Sequence, residues 1–167
     1  MWSWYSFWLI LHVLTVVVAF GPTFAFPLIA AFGRKHPQFA VAALHISELI
    51  EKRLVLPMAV AVFVFGVALI VTGDFDIVKS EWLGISIVLY VIAFTFSVLV
   101  QTRNVNRMLR AIQAMPPGPP PEGAAPPPEI AALGRKLQLG GMYLTLTFLV
   151  ILVLMIWKPG NCQGAAC

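Results

Sequence analysis

The chain has 167 residues, 60% of them hydrophobic and only 11% charged, with a mean hydropathy of +0.90. A water-soluble domain could not cover its surface with so little polar material, so the composition excludes one and places the chain in the membrane class. The formal net charge of +4 is no nucleic-acid signature either, because no basic patch is interleaved with aromatics outside the apolar runs.

Met1 to Gly33 contains no Asp, Glu, Lys or Arg. A helix of about 20 apolar residues crosses a bilayer core of about 30 Å, so a first span over about 4–32 has residues to spare. Met1 to Phe7 lacks the basic start of a secretory signal and the apolar run is too long for one, so the segment is expected to stay on the protein. His12 is the one side chain in the charge-free run whose ordinary titration falls near neutral pH, which by default makes it a site hypothesis. It shares a helical face with Thr15 and Ala19.

Beyond His36, Pro37 can open a helix, and Gln38 to Arg53 then leads straight into a second span over 54–72. Glu48 and Lys52 are spaced i,i+4 for a solvated ion pair that supports helix and little else. Asp74, Asp76 and Glu81 mark a short acidic loop before a third span over 82–101, where Ser86, Tyr90, Ser97 and Gln101 occupy one face. Arg103, Arg107 and Arg110 follow on a single helical face, expected to lie along lipid headgroups. Pro116 to Pro128 holds eight prolines in thirteen residues, a polyproline-type spacer. The fourth span, 137–157, carries Gly141 and Thr145 on one face, and small or hydroxyl-bearing faces of this kind let membrane helices approach closely. Cys162 and Cys167 form a C-x4-C spacing suited to a local disulfide or a free tail.

Lys and Arg set the orientation. Nine of the eleven lie in the first and third connections, Arg34, Lys35, Lys52, Arg53, Arg103, Arg107, Arg110, Arg135 and Lys136, leaving Lys79 and Lys158 on the other side. That bias puts those two connections in the cytoplasm and both termini outside. Trp2, Trp4, Trp8, Trp82 and Trp157 fall at the outer boundary as an interfacial belt. The expected fold is an all-α membrane protein of one domain, a four-transmembrane-helix bundle, N-out and C-out, with a cytoplasmic proline-rich spacer between helices 3 and 4.

For His12 the residues leave three readings open: an imidazole satisfied by Tyr90, a threonine or a backbone carbonyl; an axial ligand to haem iron; or a proton relay. His12 lies eight residues in from Trp4 and Tyr90 eight in from Trp82, about 12 Å deep in each case, which nominates His12 and Tyr90 as a structural polar pair. His36 and His45 sit near the opposite face, so a second haem ligand would have to come from elsewhere, such as another subunit. With no Asp or Glu inside any span, a proton path through the bundle has little to build on. No Ser or Cys stands in a nucleophile motif.

His12 followed fifteen residues later by Pro27, then Glu51-Lys52-Arg53-Leu54 leading to Pro57-Met58, with Gly66 nine residues past that proline, resembles the HemJ and CopD group of small bacterial membrane proteins. The resemblance covers about residues 4–100. It implies location in the bacterial cytoplasmic membrane, association with haem b and a part in protoporphyrinogen oxidation. His12 would be the first-helix histidine of the pattern and Arg53 its basic residue before the second span. HemJ-like proteins carry a lysine four residues after the tryptophan that opens the third span, and here that place holds Ser86. The chain is therefore most similar to a related branch designated domain of unknown function 2269. Three readings of function stay open: a structural or partner-binding membrane subunit, acting with the lipid bilayer and a homo-oligomer or membrane partner; a haem-binding redox protein; and a small transporter or metal-uptake component.

Overall fold

The computed structural model describes residues 3–74, 76, 77, 79–115 and 127–159, and among these it contains helices and turns with no strand. Four helices are long and apolar enough to cross a membrane: Trp4–Lys35, Ala40–Thr72, Glu81–Gln113 and Pro128–Trp157. The protein is thus a multi-pass integral membrane protein. Each spanning run anticipated from the sequence is part of a longer helix, and most of the added length lies at the end of the bundle that carries the first and third connections, here called the basic end. Trp2, most of the 116–128 spacer, Cys162 and Cys167 lie outside the described residues.

Local chemistry explains where the helices break. Ser3 caps the first helix, its hydroxyl accepting from the Ser6 amide at 3.2 Å. The helix runs as α1 (Trp4–Phe20), tightens into a 3-10 turn over Gly21–Phe24 where Pro22 cannot donate, and resumes as α2 (Phe26–Lys35) with Pro27 in its first turn. His36 caps α2, a 3-10 turn covers Pro37–Phe39, and α3 (Ala40–Ile50) follows. The expected helix after Pro37 therefore begins at Ala40. It passes through a π-turn, Glu51–Val55, into α4 (Leu56–Thr72).

The third helix repeats the plan: α5 (Glu81–Phe96), a π-turn over Ser97–Gln101, then α6 (Thr102–Gln113). The arginine-bearing α6 continues the third helix through this turn. α7 (Pro128–Trp157) ends at Lys158, whose left-handed backbone (φ 47°) lets its amide close onto the Leu154 carbonyl at 2.9 Å. The Lys158 ammonium stands 5.5 Å from the ring of buried Trp82.

Packing divides the bundle into two hairpins. α1 lies along α4 and α2 along α3, while α7 lies along both α5 and α6. Small residues mark the close approaches: Gly33 faces Ala40 and Ala43, and Ala19 and Ala59 are buried. Between the hairpins, Phe20 stacks on Phe148 with centroids 4.3 Å apart, and α3 meets α6 at the basic end. Valine, leucine and phenylalanine side chains remain exposed along the spans, Val17, Val64, Val88 and Leu146 among them, as a surface solvated by lipid tails requires.

Candidate functional site: two interhelical latches

His12 sits half-buried on α1 and turns toward α4. Its Nδ1 donates to the Val62 carbonyl at 3.0 Å. One turn further on is Gly66, where an added methyl would stand 3.3 Å from His12 Cε1 and 3.6 Å from Nδ1. The imidazole thus seats in a notch that exists because residue 66 has no side chain. Since a carbonyl only accepts, Nδ1 carries a ring proton, and in the neutral imidazole Nε2 then keeps its lone pair. Thr15, on the same face, donates its hydroxyl within its own helix, to Leu11 at 2.8 Å and His12 at 2.9 Å.

Tyr90 takes a separate acceptor. Its hydroxyl donates to the Ala59 carbonyl at 2.6 Å, and its ring stacks between Phe63 and Phe94. The expected His12–Tyr90 pair is therefore corrected: both side chains fasten to α4, on carbonyls three residues and about 4.5 Å apart along its axis. The depth match survives to within a turn, but each side chain takes its own α4 carbonyl, and each of those carbonyls has a second lone pair to offer.

At the basic end the two π-turns face each other. In the first, the Leu56 amide bonds the Glu51 carbonyl, five residues back. Pro57 explains the widening: it has no N–H for the Arg53 carbonyl, and its ring would clash with that carbonyl in a regular helix. The second contains no proline. Here the amide and hydroxyl of Thr102 both reach the Ser97 carbonyl, the hydroxyl at 3.1 Å. The Ser97 hydroxyl is 3.4 Å from Glu51 Oε1, so a half-buried carboxylate meets the second π-turn. Sequence reasoning treated Glu51 only as part of a motif; Pro57 six residues on was the available signal that its turn would be irregular.

Next to this contact, Gln101 Nε2 donates to the Leu137 carbonyl at 3.1 Å, and Gln101 Oε1 is buried without a hydrogen-bond partner. A methyl at Gly140 would overlap Oε1 and lie 3.4 Å from Phe96 Cε1. The expected close-packing face of the fourth helix shifts accordingly: Gly140 and Thr147 are buried, whereas Gly141 has open space around it. Ser86 is 1% exposed and donates back to the Trp82 carbonyl at 2.7 Å, so the place of the HemJ-type lysine holds a sealed, self-satisfied hydroxyl.

Arg103, Arg107 and Arg110 are exposed on the side of α6 opposite buried Val105 and Leu109. Glu48 binds Lys52 as expected, and also His45 at 3.5 Å. His45 is 17 residues before Val62 on the same long helix, about 25 Å away by helix rise, so it is not brought to His12. His36 packs its ring, tilted, against Phe32 at the far end of α2. No cluster of three or more His, Cys, Asp or Glu side chains occurs among the described residues.

A bundle of four spanning helices, latched from within by side-chain bonds to backbone carbonyls, defines the class. The chain belongs to the family described as Predicted integral membrane protein (DUF2269), whose model matches residues 7–159. The match falls on the uncharacterised branch and lends the wider HemJ and CopD relation no support. Neither the curated proteins nor the solved structures contain a match.

Proposed function

We propose that this protein is a structural, partner-binding subunit of the bacterial cytoplasmic membrane, with its basic end in the cytoplasm and both termini outside. One observation supports this reading: the inward-turned His12, Tyr90 and Gln101 each donate to a backbone carbonyl of a neighbouring helix, so the polar chemistry of the interior is committed to holding helices together. The nine-to-two division of Lys and Arg sets the orientation, and the exposed Arg103, Arg107 and Arg110 contact anionic headgroups or a cytoplasmic partner. The test is purification in mild detergent from the native membrane under ample haem supply. A colourless protein running above the mass of one chain is expected, and a colourless single chain would overturn the partner-binding role.

A second reading, attachment of haem b through His12, has one observation in its favour. Donation from Nδ1 to a carbonyl fixes the tautomer that leaves Nε2 free, as in histidines that ligate iron. The chain supplies one such nitrogen at that depth, so the other ligand would come from a second subunit. A Soret band that disappears in His12→Ala and persists in His45→Ala would establish this reading in place of the first.

A further inference from the structure

The two hairpins end differently at the basic end. The α6–α7 side exposes Arg103, Arg107, Arg110, Arg135 and Lys136. The α2–α3 side, alongside it, exposes Phe24, Leu28 and Phe32, then Phe39, Ile46 and Leu49. Trp82 to Arg103 spans 21 residues, about 32 Å of helix, which matches a hydrocarbon core. Trp4 to Arg34 spans 30 residues, about 45 Å if it ran straight, which reaches through the headgroup layer as well. On that flank, apolar surface continues where the other flank is already charged.

From this we infer that the α2–α3 hairpin is a wedge set into the lipid leaflet at the basic end, its exposed apolar residues covered by the acyl–headgroup boundary of anionic lipid and not by water.

The rim has the matching charge. Arg34, Lys35, Lys52 and Arg53 are exposed around the apolar residues, and of the two acids in this stretch Glu48 is tied to Lys52 and His45 while Glu51 faces Ser97. The tip carries an aromatic group, Phe32 against His36 and Phe39 with centroids 4.7 and 6.0 Å apart, of the amphipathic kind that favours the interface. The 3-10 turn at Gly21–Phe24 interrupts the first helix just before this hairpin. A second copy fits this face less well, because two basic rims would meet.

The test uses the full chain with Cys162→Ser and Cys167→Ser, carrying single cysteines as Leu28→Cys, Phe32→Cys, Ile46→Cys or, for contrast, Arg107→Cys. Each is labelled with a small fluorophore and reconstituted into phosphatidylglycerol–phosphatidylcholine vesicles. All four sites are exposed, and only at Phe32, which touches His36 and Phe39, does the label replace a ring contact. Brominated acyl chains should quench positions 28, 32 and 46 several-fold more than iodide does, with the order reversed at 107. Iodide quenching at all four sites would place the hairpin in water and overturn the inference. Protection at 28, 32 and 46 from both quenchers would show a protein cover and overturn it equally. Vesicles of phosphatidylcholine alone should weaken bromolipid quenching at position 32, beside the basic tip, and an unchanged value would remove the anionic-lipid part. Of these outcomes only the protein cover bears on whether the protein is a partner-binding subunit; the bromolipid and iodide results leave that reading untouched.

Discussion

The hairpin of α1 with α4 and the hairpin of α5 and α6 with α7 are closed by one device at two heights. A polar side chain crosses to a backbone carbonyl and lies beside a glycine three or four residues further along the receiving helix: His12 on Val62 beside Gly66, and Gln101 on Leu137 beside Gly140. The clearances differ. His12 has room that a methyl at 66 would only pinch, while Gln101 fills the space where a side chain at 140 would be. The difference teaches that the glycine is the receptor half of each latch, and that the clearance left beside the arriving side chain sets how much the receptor can change.

The largest effect should follow from filling the tighter receptor. Gly140→Ala pushes the end of the Gln101 side chain off the Leu137 carbonyl, and the lost bond together with the amide left unpaired is expected to lower stability by about 2 kcal/mol. Gly141→Ala, one residue on and in open space, should be neutral or stabilise by about 0.5 kcal/mol through helix propensity. Unfolding of the two variants in SDS or by steric trapping would separate them, and equal destabilisation would mean that Gly140 is not a receptor. Next in size, His12→Ala removes an interhelical bond and leaves the notch empty, for about 1–2 kcal/mol. Gly66→Ala should cost about 1 kcal/mol in the wild-type background and become neutral or stabilising once His12 is alanine. A double-mutant cycle checks that change of sign, and additive losses would break the parallel between the latches.

Much of this architecture is legible in the residues. Four uncharged runs give the spans, and Pro37, Glu48 and Lys52 give the helix that leads into the second of them. The partners of the polar groups are not legible, because sequence supplies depth along a helix while the choice of partner depends on which helix each side chain faces. Tyr90 and His12 match in depth and yet both bind α4. Likewise Gly140 and Gly141 differ only by the rotation of α7, which is fixed by packing against α5 and α6. The π-turns divide the same way: Pro57 announces the first, whereas the second is held by Thr102 and by what surrounds Ser97.

That contrast supports a smaller prediction about how the two π-turns are held at the basic end. Thr102→Val keeps the amide bond to the Ser97 carbonyl and deletes the hydroxyl one, and should cost about 1 kcal/mol. Its effect should include faster amide exchange over 97–101, with residues 51–55 unchanged because Pro57 enforces their turn. Exchange that rises equally in both turns would mean they share one cause.

The smallest effect tests whether the hairpins are separate units at all. Tyr90 reaches from α5 to the Ala59 carbonyl of α4 and so fastens one hairpin to the other, while its ring is held independently by Phe63 and Phe94. Tyr90→Phe deletes the hydroxyl alone, and a single hydrogen bond between membrane helices is worth about 0.6 kcal/mol. The Ala59 carbonyl keeps its place in the helical ladder and the phenyl ring fills the same volume, so no cavity or orphaned donor adds to that figure. The loss should appear between the hairpins and not within them: cross-linking yields from α4 to α5 should fall, while those from α1 to α4 and from α5 to α7 stay at the wild-type level. A fall in the α1–α4 yield as well would show that the His12 and Tyr90 bonds act through α4 as one network, and the picture of two separately latched hairpins would give way to that of a single four-helix unit.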